Sequence, residues 1–205
     1  MKDEKQYRAL LMKSRELFLK HGVKSLTMDE IAKEMGMSKK TIYQFVENKG
    51  DLIKLTMQDF LEEEKKLMDV ILKNSTNSID EMVSMIAYWL QVVQEFNANT
   101  LNEVQKYYPE AWNMYNEYRF NFMLGLIRGN LENGVKDGYY REGLDTDIIS
   151  KIYILAVEVL LNQNLFPSKQ YTYLNIYREF LSYHLRGIVS LKGLKYLDGH
   201  NLFKG

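Results

Sequence analysis

The sequence predicts an all-α fold, and three observations predict it. Apolar residues recur at three- and four-residue spacing along most of the chain. Only 2 prolines and 12 glycines interrupt the 205 residues, which leaves room for long helices. Side chains suited to cap a helix stand just ahead of several apolar runs, and no stretch makes a convincing strand. The pattern resolves into about nine helices. The first three form an N-terminal helix-turn-helix unit over residues 1–48, and the rest form a larger helical body over residues 49–205.

The first helix is expected from Lys5 to Lys20, with Leu10, Leu11, Leu17 and Phe18 on its apolar side. His21-Gly22 ends it, because glycine accepts the left-handed conformation of a helix stop. Thr27-Met28-Asp29-Glu30 has the form of a capping box, in which the threonine side chain and the glutamate satisfy each other's backbone N–H groups. A short helix through Ile31, Ala32 and Met35 follows and stops at Gly36. Ser38 caps the next, Lys39 to about Val46, and Asn48 caps a long helix from Lys49 to about Leu72. Gly36-Met37-Ser38 is the length of turn that a helix-turn-helix needs.

On the second short helix, Ile42, Phe45 and Val46 share one face and should pack inward. Lys39, Lys40, Tyr43 and Gln44 occupy the other. Polar residues on a short helix are often only solvated surface. Three caps and a tight turn assembled around this one favour recognition of DNA. Lysine can donate to guanine acceptors, and glutamine can pair with adenine through two hydrogen bonds in the major groove. The Tyr43 hydroxyl, on a stiff ring, suits a phosphate. Thr27 and Lys49 each lie at a helix N-terminus, where free N–H groups and the dipole favour an anion.

Charge and composition agree. Residues 1–50 hold 11 Lys and Arg against 7 Asp and Glu, although the whole chain is neutral, so a modestly basic head sits on an acidic body. The absence of cysteine removes disulfides, thiolate chemistry and Cys-based zinc sites. His21, His184 and His200 form no ligand-spaced pair, so neither metal nor cofactor is expected. No nucleophile–base pair or glycine-rich phosphate loop supports an enzyme. The charged N-terminus lacks the apolar run of a signal peptide, and nowhere is there an apolar run long enough for a membrane span. A cytoplasmic location is the expectation.

Residues 26–55, LTMDEIAKEMGMSKKTIYQFVENKGDLIKL, resemble the DNA-binding segment of the tetracycline-repressor (TetR) family. The matching features are Thr27-x-x-x-Ile31-Ala32, Gly36, Ser38-x-x-Thr41-Ile42-Tyr43 and Asn48-Lys49 ahead of Leu52, with Phe18-x-x-x-Gly22 upstream. The resemblance implies that Thr27, Tyr43 and Lys49 hold phosphates. Lys39, Lys40 and Gln44 would then face bases, with Ser38 and Thr41 near the DNA backbone. It also implies a homodimer on a palindromic, double-stranded operator. Two departures from it stand out: Phe45-Val46 stands where many members have His-Phe, and Gly50 stands where glutamate is common.

In the body, Ser78-Ile79-Asp80-Glu81 reads as another capping box, opening a helix to about Phe96. A shorter helix spans 97–108, and Pro109 starts one that runs to about Val135. Asp145 or Thr146 caps a helix through Asn162, and a last long helix covers 171–189. The stretch IISKIYILAVEVLL, residues 148–161, is apolar on nearly every side. Together with the stripe on the last helix it predicts a four-helix dimer interface including Ile152, Val159, Tyr177, Phe180, His184 and Ile188. His184 reads as a satisfied interface histidine rather than a switch.

Trp89, Phe96, Tyr108, Trp112, Tyr115 and Phe122 belong to an unusually dense aromatic set. Core packing explains any one of them. Tyrosines in this number predict a cavity for a small hydrophobic or aromatic effector, because each hydroxyl needs a partner. The expected function is ligand-responsive transcriptional regulation, with repression usual for the resemblance. The competing reading is an all-helical small-molecule-binding or adaptor protein without sequence-specific DNA binding.

Overall fold

The computed structural model describes residues 2–94, 100–160, 162, 164–167 and 169–199. Among them the fold is all-α, and the single β-type pairing is an isolated antiparallel bridge between Tyr140 and Val189. The helices are α1 (Lys2–His21), α2 (Met28–Met35), α3 (Lys39–Ile42), α4 (Lys49–Asn74), α5 (Ser78–Gln94), α6 (Thr100–Tyr107) and α7 (Pro109–Glu117). After a π-helical segment, Tyr118–Met123, come α8 (Leu124–Lys136), α9 (Thr146–Leu160), α10 (Tyr173–Ile188) and α11 (Leu191–Asp198). Two helices exceed the sequence expectation. The π segment divides the long helix expected from Pro109 onward, and α11 follows a new cap at Ser190, whose side chain accepts from Gly193 N–H.

Two compact units divide the chain: Met1–Lys66 with Glu95–Tyr118, and Leu67–Gln94 with Arg119–Gly205. In the first, Leu10, Leu17 and Phe18 of α1 meet Ile31 and Ala32 of α2, Ile42 of α3 and Leu52 of α4. Val104 of α6 and Ala111 of α7, both almost wholly buried, complete this core from far downstream in the sequence. Burying a side chain such as Ile42 contributes about 1.5–3 kcal/mol relative to exposure. The head therefore draws part of its core from outside residues 1–48.

In the second unit, α5 packs on α8 and α10, and α8 on α9. A buried polar network ties the start of α5 to α8. Asn130 Nδ2 donates to the Ser78 carbonyl at 2.8 Å, and the Tyr140 hydroxyl lies 2.9 Å from both that carbonyl and Asn130 Oδ1. Ser78 is therefore not the cap expected from its capping-box form. Asn77 is, its Oδ1 accepting from Ile79 and Asp80 N–H, because α5 already begins at Ser78. Gly134 makes room for the Tyr140 ring: a Cβ there would lie 2.1 Å from Cδ2.

The helices assigned to a dimer interface are used unequally. Tyr177, His184 and Ile188 are buried inside their own unit, because α10 turns that face toward α5 and α9. Phe180 is half-buried, and its ring lies 6.1 Å from that of Tyr153. On α9, by contrast, Ile148, Ile152, Leu155 and Val159 are 53, 52, 48 and 50% exposed. Their four-three-four spacing puts them on one helical face.

Candidate nucleic-acid interface

The helix-turn-helix forms as its caps require. Thr27 is extended, and its side chain accepts from Glu30 N–H at 3.2 Å. Glu30 Oε2 reciprocates, accepting the Thr27 N–H at 2.7 Å and the Thr27 hydroxyl at 2.8 Å. These bonds, the backbone one foremost, hold the Glu30 carboxyl below its ordinary range. Gly36 ends α2 in the left-handed region (φ 61°), and Met37 N–H returns to the Ala32 carbonyl at 3.0 Å. Ser38 then opens α3, its hydroxyl accepting from Thr41 N–H at 3.0 Å and lying 2.7 Å from Thr41 Oγ1.

The recognition segment is α-helical over a shorter span than the sequence suggests. Beyond Ile42 it tightens into turns: Gln44 and Phe45 N–H bond three residues back, to Thr41 and Ile42, while Val46 N–H still reaches Ile42 at 3.2 Å. Ile42 and Val46 stay buried. The half-buried Phe45 ring packs 5.8 Å from that of Tyr7 on α1. The Phe45-Val46 departure is thus spent on the core rather than on a polar contact.

On the outer side, Lys40, Tyr43 and Gln44 are exposed. Lys39 is engaged. Its ammonium lies 2.9 and 3.0 Å from the two carboxylate oxygens of Asp29 on α2, and that hydrogen bond raises its pKa. At the start of α4, Asn48 Oδ1 accepts from Asp51 N–H at 3.0 Å, and Asp51 accepts from Glu47 N–H at the same distance. Lys49 is half-buried. Burial lowers its pKa, and the nearby carboxylates of Glu103 and Glu30 oppose that shift.

Glu103 escaped the sequence reading. Its Oε2 accepts the Lys24 N–H, 2.8 Å away, in the turn between α1 and α2. No local pattern announces a bond between residues so distant in sequence. Beside the start of α4, Gly50, Asp51, Lys54, Tyr108 and Glu110 line part of a recess of about 360 Å³, across which Lys54 and Glu110 pair at 2.6 Å.

The aromatic residues expected to line an effector cavity are divided. Tyr108 and Trp112 are half-buried and pack on the core of the first unit, with Tyr115 5.5 Å from Trp112 between ring centres. Trp89 and Phe122 are half-buried in the second unit, Trp89 in edge contact with Tyr88 at 5.8 Å. Phe96 lies outside the described residues. No group of acidic residues or histidines among the described residues could hold a metal ion, and no helix there is long and apolar enough to cross a membrane.

Residues 10–55 match the family model for bacterial regulatory proteins of the tetR family. Over 89 residues the chain is 30% identical to the uncharacterized HTH-type transcriptional regulator YvaF of Bacillus subtilis (strain 168). That match takes in 43% of this chain and 47% of the relative, about half of its length. A second relative from the same organism, the uncharacterized HTH-type transcriptional regulator YdeS, is 27% identical over 156 residues, 74% of this chain and 76% of its own. In fold, the TetR-family transcriptional regulator from Agrobacterium tumefaciens aligns with a TM-score of 0.76 at 15% identity, covering 92% of this chain and all (100%) of that one. The family match falls on the capped helices and left-handed turn described above, so residues 10–55 are similar to the DNA-binding segment of bacterial regulatory proteins of the tetR family, and the chain shares its fold with a TetR-family regulator.

Proposed function

We propose that this protein represses transcription as a homodimer on a palindromic operator and releases the DNA when a small hydrophobic or aromatic effector binds its C-terminal body. The observation that carries the DNA-binding reading is the exposed row Lys40, Tyr43 and Gln44 on a segment fixed by Gly36 and Ser38. Lys40 and Gln44 read base edges, with Lys39 beside them once it exchanges Asp29 for DNA. Thr27, Tyr43 and Lys49 contact phosphates, and Ser38 and Thr41 lie near the DNA backbone, fixing register.

The dimer reading is supported by the exposed face of Ile148, Ile152, Leu155 and Val159 on α9. Four apolar side chains, each about half exposed in one row, favour burial against the same row of a second copy, since a two-fold contact is self-complementary. For the effector, the half-buried Tyr88, Trp89 and Phe122 of the second unit supply flat apolar walls, with polar edges at the tyrosine and tryptophan. Helix α4 gives residues 49–66 to the first unit and 67–74 to the second. An effector that prefers one tilt of α4 would reset the spacing of the two heads and so the affinity for DNA.

The test is fluorescence anisotropy on duplexes drawn from DNA flanking the protein's own gene, across a salt series. Tight binding to one palindromic duplex, with two chains per site, is the expected result. Weak binding that is blind to sequence at every salt concentration would reject the operator reading.

A further inference from the structure

We propose that Glu103 is a positioning residue for DNA binding: from α6 it latches the α1–α2 turn and so fixes where the N-terminus of α2 meets the phosphate backbone. This rests on the operator reading above and adds to it a residue outside the helix-turn-helix.

The turn has few bonds of its own. Gly22 N–H returns to the Phe18 carbonyl at 2.9 Å, and the Ser25 hydroxyl donates to the His21 carbonyl at 2.7 Å. Val23 and Leu26 are buried anchors. Between them the Lys24 N–H projects outward and is met at 2.8 Å by Glu103 Oε2. The carboxylate approaches so closely that a Cβ on Gly22 would lie 2.9 Å from it, and Gly22 also needs its left-handed φ of 82°. The left-handed φ is what calls for glycine there, since the carboxylate, at the far end of a flexible side chain, could shift.

The arm that holds Glu103 is fixed to the same unit. Val104 is buried in the head core, and the Thr100 hydroxyl donates to the Phe18 carbonyl at 3.1 Å. Positions 100, 103 and 104 lie on one face of α6, so one face carries the anchor, the latch and the second hydrogen bond. Thr27 follows Lys24 by three residues, and its reciprocal bonds with Glu30 start α2. A turn released at Lys24 would let the start of α2 sample other placements. DNA would then select from a smaller competent fraction, which weakens apparent affinity by that fraction.

Two conservative variants of the full chain separate reach from charge. Glu103→Asp keeps the charge but is a methylene shorter, so it loses the Lys24 bond. Glu103→Gln loses the charge but keeps an oxygen at the same reach. Operator affinity is read by anisotropy, Lys24 amide protection by hydrogen exchange, and folding by thermal melting. We expect Glu103→Asp to bind the operator about tenfold more weakly and to lose Lys24 protection at a nearly unchanged Tm, with Glu103→Gln within about threefold of the wild type. The opposite order, Asp behaving as wild type and Gln altered, would mean that only charge matters and overturns the latch. Unchanged binding by both variants also overturns it. If the wild type itself shows no sequence preference, it is the operator reading that fails, a result distinct from either.

Discussion

Lys39 grips Asp29 across the helix-turn-helix, its ammonium 2.9 Å from one carboxylate oxygen and 3.0 Å from the other. The pair joins α3 to α2 and withholds one of the cations nearest the expected groove. Both side chains are substantially exposed, so the bond is weak and exchangeable. Asp29→Asn should tighten binding to operator and random DNA alike, by roughly two- to fivefold at low salt, and the gain should fade as salt rises. Anisotropy titrations at several salt concentrations check this; unchanged affinity would mean that Lys39 does not face the DNA.

Lys40→Ala and Gln44→Ala should cut operator affinity by about 1–3 kcal/mol while leaving random-duplex binding nearly intact. Lys49→Ala should weaken both and lower the salt slope by about 1. Competition with single-base operator variants is the readout. Equal losses on both kinds of DNA for all three variants would remove the assignment of base readers.

Gly134→Ala sets two effects against each other. Alanine favours a helix interior by roughly 1 kcal/mol. Its Cβ would nevertheless overlap the buried Tyr140 ring, which Ser78 and Asn130 keep from swinging aside. Overpacking costs about 1–3 kcal/mol, so net destabilisation is expected in urea unfolding. Gly129→Ala, on the same helix and facing open space, is the control and should not destabilise.

His184 gives stability a pH dependence. Burial pushes its imidazole down to about 4 from 6.5, with Tyr153 and Phe180 rings 4.9 and 5.7 Å away. As pH falls through 6.5 the unfolded chain takes up the proton while the folded chain does not. The contribution of the neutral ring is therefore whole above 6.5 and is lost progressively toward pH 4, on the order of 3 kcal/mol at most. Urea midpoints should fall more between pH 7 and pH 4.5 in the wild type than in His184→Phe. Parallel curves for the two proteins would show that His184 does not titrate this way.

The α9 row yields the assembly test. Leu155→Glu puts a charge in the middle of an exposed apolar face without touching the unit's own core. Light scattering should find a dimer for the wild type and a monomer for the variant, with the variant's melting temperature little changed. A wild type that is monomeric at working concentrations would discard the interface.

Local chemistry was legible in the sequence wherever one short segment decides it. The box at Thr27 and Glu30, the left-handed Gly36, the Ser38 cap, the Asp145 cap and Pro109 at the first turn of α7 all stand where their residue types require. Features that depend on distant partners were not legible. Asn77 displaces Ser78 as a cap because α5 already begins at Ser78, whose carbonyl accepts from Asn130 and Tyr140. Periodicity marks Tyr177 and Ile188 as apolar, but cannot say that their own unit covers them and leaves Ile148 and Leu155 bare. The π segment over Tyr118–Met123 preserves the helical look of its sequence while shifting the register of α8. Glu103 carries no local mark of its bond to Lys24.

Val104 and Ala111 close the head core from α6 and α7, and this bears on building chimeric regulators. A graft that exchanges only the first 48 residues would set a foreign set of apolar side chains against these two and strand Glu103 opposite an unrelated turn. A transplantable DNA reader would carry residues 100–112 with it, as a second, discontinuous cassette.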